Sequence, residues 1–181
     1  RPEKIAVTGI PNFDNAVSYR ENDFPFHDYA LVATSAMRET FKRDDRIAFL
    51  RWAVDLAGKR EIIFKLHPNE NLARAIKEIR KVAPTAKVFL DGNINHMIAN
   101  CSVLITQYSS VTFVGLALGK EVHSYLNLDA LRRLLPLQNG GASAQRIAEL
   151  ARQLLHMPEA RLAAARAGLL RRPLFRLPDA I

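Results

Sequence analysis

The sequence predicts an α/β fold, a doubly wound parallel sheet with helices on both faces. Three observations carry this. Short apolar runs alternate with helix-period segments from Tyr29 to Leu155. Each intervening segment is long enough to be a crossover, which makes successive strands parallel. The run Val103-Leu-Ile105 is apolar without alternation and flanked by polar residues, the pattern of a central strand buried on both faces.

In chain order, Lys4-Ile-Ala-Val7 reads as a short strand entering the turn Thr8-Gly-Ile-Pro-Asn-Phe-Asp14. Residues 15–28 are polar and read as a loop or linker. Tyr29 to Ala33 is a strand ending in the polar turn Thr34 to Glu39. Asp44 or Asp45 caps a helix that buries Ile47, Leu50 and Val54 and stops at Gly58. Glu61 to Leu66 is the next strand, followed at its carboxyl end by His67-Pro-Asn69. Leu72, Ile76, Ile79 and Ala83 form one helix face, closed by Pro84. Ala86 to Leu90 is a third strand, ending in Asp91-Gly-Asn93. A short helix through Met97 and Ile98 leads to the central strand and the turn Tyr108-Ser109-Ser110. Val111, Val114, Gly115 and Leu118 then share a helix face, and Gly119 is a left-handed stop. Glu121 to Leu126 is a further strand. Residues 127–142, with Pro136 and Asn139-Gly-Gly141, read as irregular. Ser143 caps a helix burying Ile147, Leu150, Ala151, Leu154 and Leu155, and a last helix runs from Glu159 to about Leu170.

The chain has 181 residues, 49% of them hydrophobic, enough for one domain with a core. Its net charge of +8 favours anionic partners such as nucleotides, phosphates, nucleic acid or an acidic membrane surface. Much of the excess lies late, in Arg161, Arg166, Arg171, Arg172 and Arg176, a pattern that a solvated helix face also produces. Cys101 is the single cysteine, so no intrachain disulfide forms, which fits a reducing compartment. No apolar run approaches a membrane span. The chain opens at Arg1 rather than a methionine, which fits a processed or excised piece.

Folds of this class bind ligands beyond the carboxyl ends of their strands, where strand order reverses. Four polar turns fall there: Thr34–Glu39, His67–Asn69, Asp91–Asn93 and the turn through Ser109 and Ser110. Two serines at a helix start either cap its N–H groups or share them with an anion, and the gathering of four turns on one rim favours the anion. His67 either packs structurally or meets the same phosphate, as imidazolium or as a neutral N–H donor. Arg38 offers a forked phosphate contact or a surface helix arginine. Asp91, Gly92 and Asn93 let backbone approach a base or ribose, or form a plain turn. The sequence lacks the phosphate-loop, dinucleotide-turn and nucleophile-elbow patterns, and has no Cys/His spacing for zinc. No metal and no cofactor is expected. At 8% aromatic content there is no stacking platform at strand centres, so nucleic acid is not an expected partner.

Ala99-Asn-Cys-Ser-Val-Leu-Ile-Thr-Gln-Tyr-Ser-Ser110 resembles the A-D-x-L-I-T-D-Y-S-S segment of bacterial CDP-glycerol glycerophosphotransferases, the wall teichoic acid polymerases. Lys65-Leu-His-Pro68 resembles their K-x-H-P segment. Thr34-Ser-Ala-Met-Arg-Glu39 is similar to their T-x-R-[DE] turn with one residue more. Thr8-Gly-Ile-Pro-Asn-Phe-Asp14 is similar to their G-x-P-R-x-D opening, with Asn12 in place of arginine. These segments occur in the family's order over most of residues 5–126, and the HP and SS pair also recurs in capsule glycosyltransferases. The resemblance implies the carboxyl-terminal, donor-binding half of a GT-B transferase, a Rossmann-like domain whose amino-terminal half is missing here. It implies His67 as the catalytic contact to the donor phosphate or leaving group. It implies Ser109 and Ser110 at the donor phosphate. Read from the residues themselves, Arg38 is a further phosphate candidate, and Thr34, Asp91, Gly92, Asn93 and Gln107 are candidates at the nucleotide. Gln107 replaces the family's aspartate.

The organisation expected is then an opening strand and linker over 1–28, a Rossmann-like nucleotide-binding domain over 29–156, and a basic helix and tail over 157–181. The function expected is donor binding, of a CDP-, CMP- or UDP-linked group, for bacterial cell-surface polysaccharide or teichoic-acid-like polymer synthesis. The compartment expected is the cytoplasm, with peripheral association at an anionic inner membrane face. Two alternatives stand beside this. Val7-Thr-Gly-Ile-Pro-Asn-Phe-Asp14 and His67-Pro-Asn-Glu70 resemble turns of UDP-N-acetylglucosamine 2-epimerases, although Gln107-Tyr-Ser-Ser110 stands where their D-S-G-G turn belongs. The basic charge also suits a non-catalytic module that binds polyanions in a salt-sensitive way.

Overall fold

The computed structural model describes residues 5–41, 44–138 and 141–169. Residues 16–132 form one compact unit, and residues 1–15 with 133–181 form another.

The first unit is built on five parallel strands: β1 (Ala30–Ala33), β2 (Ile62–Lys65), β3 (Lys87–Phe89), β4 (Val103–Thr106) and β5 (Glu121–His123). Their order across the sheet is β3-β2-β1-β4-β5. β1 and β4 are buried at every position, because each is flanked by strands on both edges and by helices on both faces. Among the described residues, the α-helices of the chain are α1 (Met37–Phe41), α2 (Arg46–Ala57), α3 (Leu72–Val82), α4 (Ile94–Asn100), α5 (Val111–Ala117), α6 (Leu128–Gln138), α7 (Ser143–Leu155) and α8 (Glu159–Ala167); α1 to α5 lie in the sheet unit, and α7 and α8 in the other.

The two-residue side-chain period of the strands sorts the core. Ala30, Val32, Phe64, Leu66, Val103 and Ile105 join Phe49, Leu50 and Ala53 of α2 and Ile79 of α3 in one cluster. On the other face, Leu104 and Val122 approach α5 at Gly115. A Cβ there would lie 2.7 Å from Leu104 Cδ2 and 2.9 Å from Val122 Cγ2, so the glycine lets α5 lie against β4 and β5. This is the doubly wound α/β architecture that the alternation of strand and helix predicts. Residues 16–28 lie against the sheet unit's end. Asn22 and Asn100 exchange carboxamide hydrogen bonds at 3.0 Å, and Phe24 rests edge-on against Phe89 and Tyr29.

Several local expectations are corrected. Residues 5–10 form no strand, and Ile5 and Val7 stand exposed; an apolar triplet becomes a strand only where a neighbour answers its backbone groups. Lys4 of that stretch lies outside the described residues. Residues 128–138 are helical, not irregular. The Asn127 side chain accepts from Ala130 N at 3.0 Å, a cap that outweighs Pro136, which falls in the last turn. The buried face of α2 is Arg46, Phe49, Leu50, Ala53 and Ala57, with Asp45 capping at Ala48 N; Ile47 and Val54 are only half-buried.

In the second unit, Ser143 is the first residue of α7 rather than its cap. The Asp14 carboxylate takes that place, accepting from Ser143 N and Ala144 N at 2.9 Å each. Burial pushes this carboxyl up, but the N–H groups of Ala144 and Ser143 and the Arg146 charge bring it below its ordinary value. Leu150 is buried on α7, while Ile147, Leu154 and Leu155 remain exposed. α8 ends at Gly168 in the left-handed conformation. Leu170, Arg171, Arg172 and Arg176 lie outside the described residues.

Candidate functional site

Because all five strands are parallel, their carboxyl ends share one rim. The chain runs from β1 outward to β2 and β3, then returns to the other side of β1 for β4 and β5. Strand order therefore reverses between β1 and β4, and the loops leaving these two strands part toward opposite faces. Thr34 and Ser35 leave β1 at this point, and Gln107 to Ser110 leave β4.

The β1–β2 side of the rim is a closed network around Glu70. Its carboxylate accepts from Arg46 Nη2 at 2.5 Å, from His67 N at 2.9 Å and from the Thr34 hydroxyl. The Arg46 and Glu70 side chains are 3% and 5% exposed. An ion pair so far from water persists only when its remaining polar atoms are also satisfied, and Thr34 with the His67 amide supplies that. Thr34 Oγ1 also accepts from His67 N, at 3.2 Å. The backbone that carries His67 is thus held from two sides. Asn69 N donates to His67 Nδ1 at 3.2 Å, so the neutral ring carries its proton on Nε2, leaving that N–H as its donor.

Arg38 is paired with Glu78 of α3 at 2.9 Å, a contact that raises its already high pKa. Glu39 pairs with Arg74 and accepts from Asn71 N at 3.3 Å. Burial pushes the Glu39 carboxyl up, but backbone N–H groups and the nearby guanidinium charges of Arg74 and Arg38 take it below its ordinary value.

The β4 side is different. Gln107, 1% exposed, accepts from Ser35 Oγ at 2.9 Å and donates to Asp44 Oδ1 at 2.8 Å. Its carboxamide thereby ties the β1 and β4 loops across the switch point. A carboxylate at 107 would face Asp44 with like charge, whereas an amide serves one acceptor and one donor at once. Next in the turn, Ser110 makes no cap hydrogen bond, and Ser109 Oγ accepts only a long bond from Val111 N, 3.4 Å. The N–H groups of Thr112 and Phe113 close onto the carbonyls of Ser109 and Ser110. What this turn offers an anion is therefore mainly its two hydroxyls.

Asp91, Gly92 and Asn93 are exposed at the end of β3. Gly92 has φ +100°, which a glycine adopts without strain, and Asn93 caps α4 through Asn95 N at 2.9 Å. Lys65 reaches over this turn to the Leu90 carbonyl at 2.9 Å, and burial lowers its pKa while Asp91 opposes the shift. At the usual strand spacing the β3 turn lies about 10 Å from β1. The structure thus brings Thr34 directly to His67 and Gln107 to the β1 loop, keeps Arg38 with α3, and sets Asp91–Asn93 at one end of the rim. Cys101 is buried, and that burial, only partly offset by Lys120, pushes its thiol up to about 12, so it is an inert core residue. Among the described residues no group of three or more His, Cys, Asp or Glu side chains is placed to hold a metal ion.

Sequence reasoning missed Glu70, Arg46 and Ser35, and weighed Asp44 only as a cap. One signal was present: Arg46 falls on the apolar stripe of 49, 50, 53 and 57, where an unpartnered charge cannot be buried.

The five-stranded parallel sheet, its flanking helices and the reversal at β1/β4 define a Rossmann-like α/β fold. No family model matches the chain, and no curated protein matches it. Among solved structures, it is similar to UDP-GlcNAc 2-epimerase from Neisseria meningitidis bound to UDP-GlcNAc. The TM-score is 0.55 at 16% identity, over 88% of this chain and 49% of that one. It is also similar to the Thermosulfurimonas dismutans KpsC β-Kdo 2,7 transferase, with a TM-score of 0.47 at 13% identity, over 71% of this chain and 46% of that one. The chain spans about half the length of each. At these identities the likeness concerns the fold.

Proposed function

We propose that this chain is the nucleotide-donor-binding half of a GT-B transferase that serves bacterial cell-surface polysaccharide or teichoic-acid-like polymer synthesis. The observation that carries the reading is the switch point itself. Beside the β1/β4 reversal, the turn after β4 carries Ser109 and Ser110, whose hydroxyls the fold leaves largely unused, and two strands away, at the end of β2, the backbone of His67 is fixed in place. Ser109 and Ser110 hold the donor phosphate. His67 donates Nε2–H to the phosphate or leaving group, and Asp91, Gly92 and Asn93 meet the base or ribose. Thr34 acts through the backbone of His67, and Arg38 turns to phosphate only by leaving Glu78. On this reading the other half supplies much of the acceptor site, and the basic surface suits work at the cytoplasmic face of an anionic membrane.

The test is a thermal-shift titration with CMP, CDP, UMP, UDP, ADP and GDP at moderate salt, since a ligand of the folded state raises the melting temperature. Selective stabilisation by cytidine nucleotides supports the CDP- or CMP-linked donor. Selectivity for uridine keeps the 2-epimerase alternative, for which the fold likeness and the Val7–Asp14 and His67–Glu70 turns speak. No nucleotide response, with polyanion binding that fades as salt rises, would move the reading to a basic binding module. His67→Ala weakens nucleotide binding equally at acidic and neutral pH if the Nε2–H donor is what matters; a loss confined to acid would show that the imidazolium does the holding.

A further inference from the structure

The rim carries an aromatic patch that neither the phosphate turn nor the network around Glu70 uses. Tyr108 is 55% exposed and Tyr125 is 44% exposed. Their rings meet edge-on at 5.5 Å, with 77° between the planes. Trp52 of α2 lies against Tyr125 at 5.6 Å, and the buried Phe49 ring stands edge-on to Tyr125 at 6.2 Å. His123 meets Trp52 edge-on at 6.3 Å. The two exposed residues are also tied through the backbone. Tyr125 N donates to the Gln107 carbonyl at 3.4 Å, and Ser124 Oγ donates to the same oxygen at 2.7 Å. With Tyr125 packed on Trp52 and Phe49 and Tyr108 edge-on to Tyr125, about half of each tyrosine stays in water, apolar area that a ligand would cover.

Two kinds of flat ligand suit such rings, a nucleobase and the C–H face of a pyranose. The strand order decides between them. On the donor reading, the base or ribose belongs to Asp91–Asn93 at β3, and the phosphates to His67 of the β2 turn and Ser109–Ser110 of the β4 turn. A donor laid along the rim in that direction has its transferred group beyond the phosphates, toward β5. Tyr108 and Tyr125 occupy that end, three to four strands from β3, or about 14–19 Å at the usual spacing.

We infer that Tyr108 and Tyr125, backed by Trp52, form a stacking platform for a pyranose ring at the β4–β5 end of the rim. The direction of the ligand rests on the donor reading; the platform is testable apart from it. A pyranose lays its axial C–H bonds on the exposed ring faces, and its equatorial hydroxyls stay at the edge, facing solvent. The base site stays at the opposite end, so the two ends recognise different parts of one molecule.

Trp52 is the only tryptophan in the chain, so its fluorescence reports on the platform directly. The full chain is titrated with UDP, UDP-N-acetylglucosamine, CDP and CDP-glucose, and with methyl glucoside and free N-acetylglucosamine at millimolar concentration. A nucleotide sugar should change Trp52 emission where the bare nucleotide does not. Tyr108→Ala should weaken the nucleotide sugar by roughly three- to tenfold, the size of one aromatic stacking contact, and leave the bare nucleotide unchanged. Tyr125→Ala should act likewise and Tyr125→Phe should not, since the ring is what is used. Equal weakening of nucleotide and nucleotide sugar would put a base on the platform and overturn the inference. So would folded variants that bind nucleotide sugars as the parent does. If no nucleotide binds at all, the donor reading falls and the free glycosides decide: quenching of Trp52 that Tyr108→Ala abolishes keeps the platform, and no quenching removes it.

Discussion

The two sides of the rim are built on opposite terms. Beside β1 and β2, Glu70 gathers Arg46, Thr34 and the His67 amide into a network almost out of reach of water. Beside β4, the turn through Tyr108, Ser109 and Ser110 faces outward, and its hydroxyls do little within the chain. One side uses its polar groups to hold position; the other leaves its hydroxyls largely unbonded within the chain. A site needs both, because a donor group is effective only when its support does not rearrange on binding. The comparison predicts a separation of effects: changes near β1–β2 should cost stability, and changes near β4 should cost affinity.

The largest expected effect is on the closed side. Glu70→Ala leaves the Arg46 charge buried without its partner and should destabilise the fold by about 3–5 kcal/mol in urea unfolding. Adding Arg46→Met to it should recover a good part of that loss. A cost below about 1 kcal/mol would mean that water already screens the pair, and the comparison would break. Gly115→Ala is next. Its Cβ would meet Leu104 Cδ2 at 2.7 Å and Val122 Cγ2 at 2.9 Å, and such overpacking costs about 1–3 kcal/mol. Because α5 then lifts from the sheet, this change should lower both the melting temperature and nucleotide affinity, and pairing it with Leu104→Ala should restore some of each.

On the open side, Ser109→Ala with Ser110→Ala should weaken nucleoside diphosphate binding by roughly 1–3 kcal/mol and leave the melting temperature where it was. Unchanged affinity in the folded double variant would remove the phosphate site from this turn. The smallest effect sharpens the contrast from outside the rim. α7 borrows a carboxylate cap from Asp14, whereas α5 has no side-chain cap from Ser110. Asp14→Ala should cost about 1 kcal/mol at neutral pH. The folded carboxyl lies below its ordinary value of 3.8, so its contribution is present above that pH and is lost as pH falls through the lower folded value. The melting-temperature gap between parent and variant should therefore close in acid and stay open at neutral pH.

The sheet was legible in the sequence because its signals are local. Val103 to Ile105, Ile62 to Phe64 and the stops at Gly58 and Gly119 each announce themselves within a few residues. The closed network was not, because its members stand far apart in the chain: Arg46 is 24 residues from Glu70, and Thr34 is 36. Gln107 reads as a substitution in a turn, and only the fold shows that Ser35 and Asp44, 72 and 63 residues away, answer both ends of its amide. The helix over 128–138 was hidden for a different reason, since Pro136 and the glycines after it outweighed a single capping asparagine. The opening triplet misled in the reverse sense: Ile5 and Val7 are β-branched, but among the described residues no strand pairs with this stretch.

The strand order also bears on how the chain is made. β1 pairs first with β2, placing Ala30 opposite Ile62, and gains its other neighbour only when Val103 comes opposite the same residue. Until β4 has been synthesised, one whole edge of β1 is open, and all four of its residues are apolar. A nascent or truncated chain ending between β3 and β4 therefore presents a flat, uncharged edge, the kind that pairs with other chains. Fragments ending near residue 95 should aggregate where fragments ending beyond β5 stay soluble, which makes β4 the guardian of the sheet as well as the strand that leads into the Ser109–Ser110 turn.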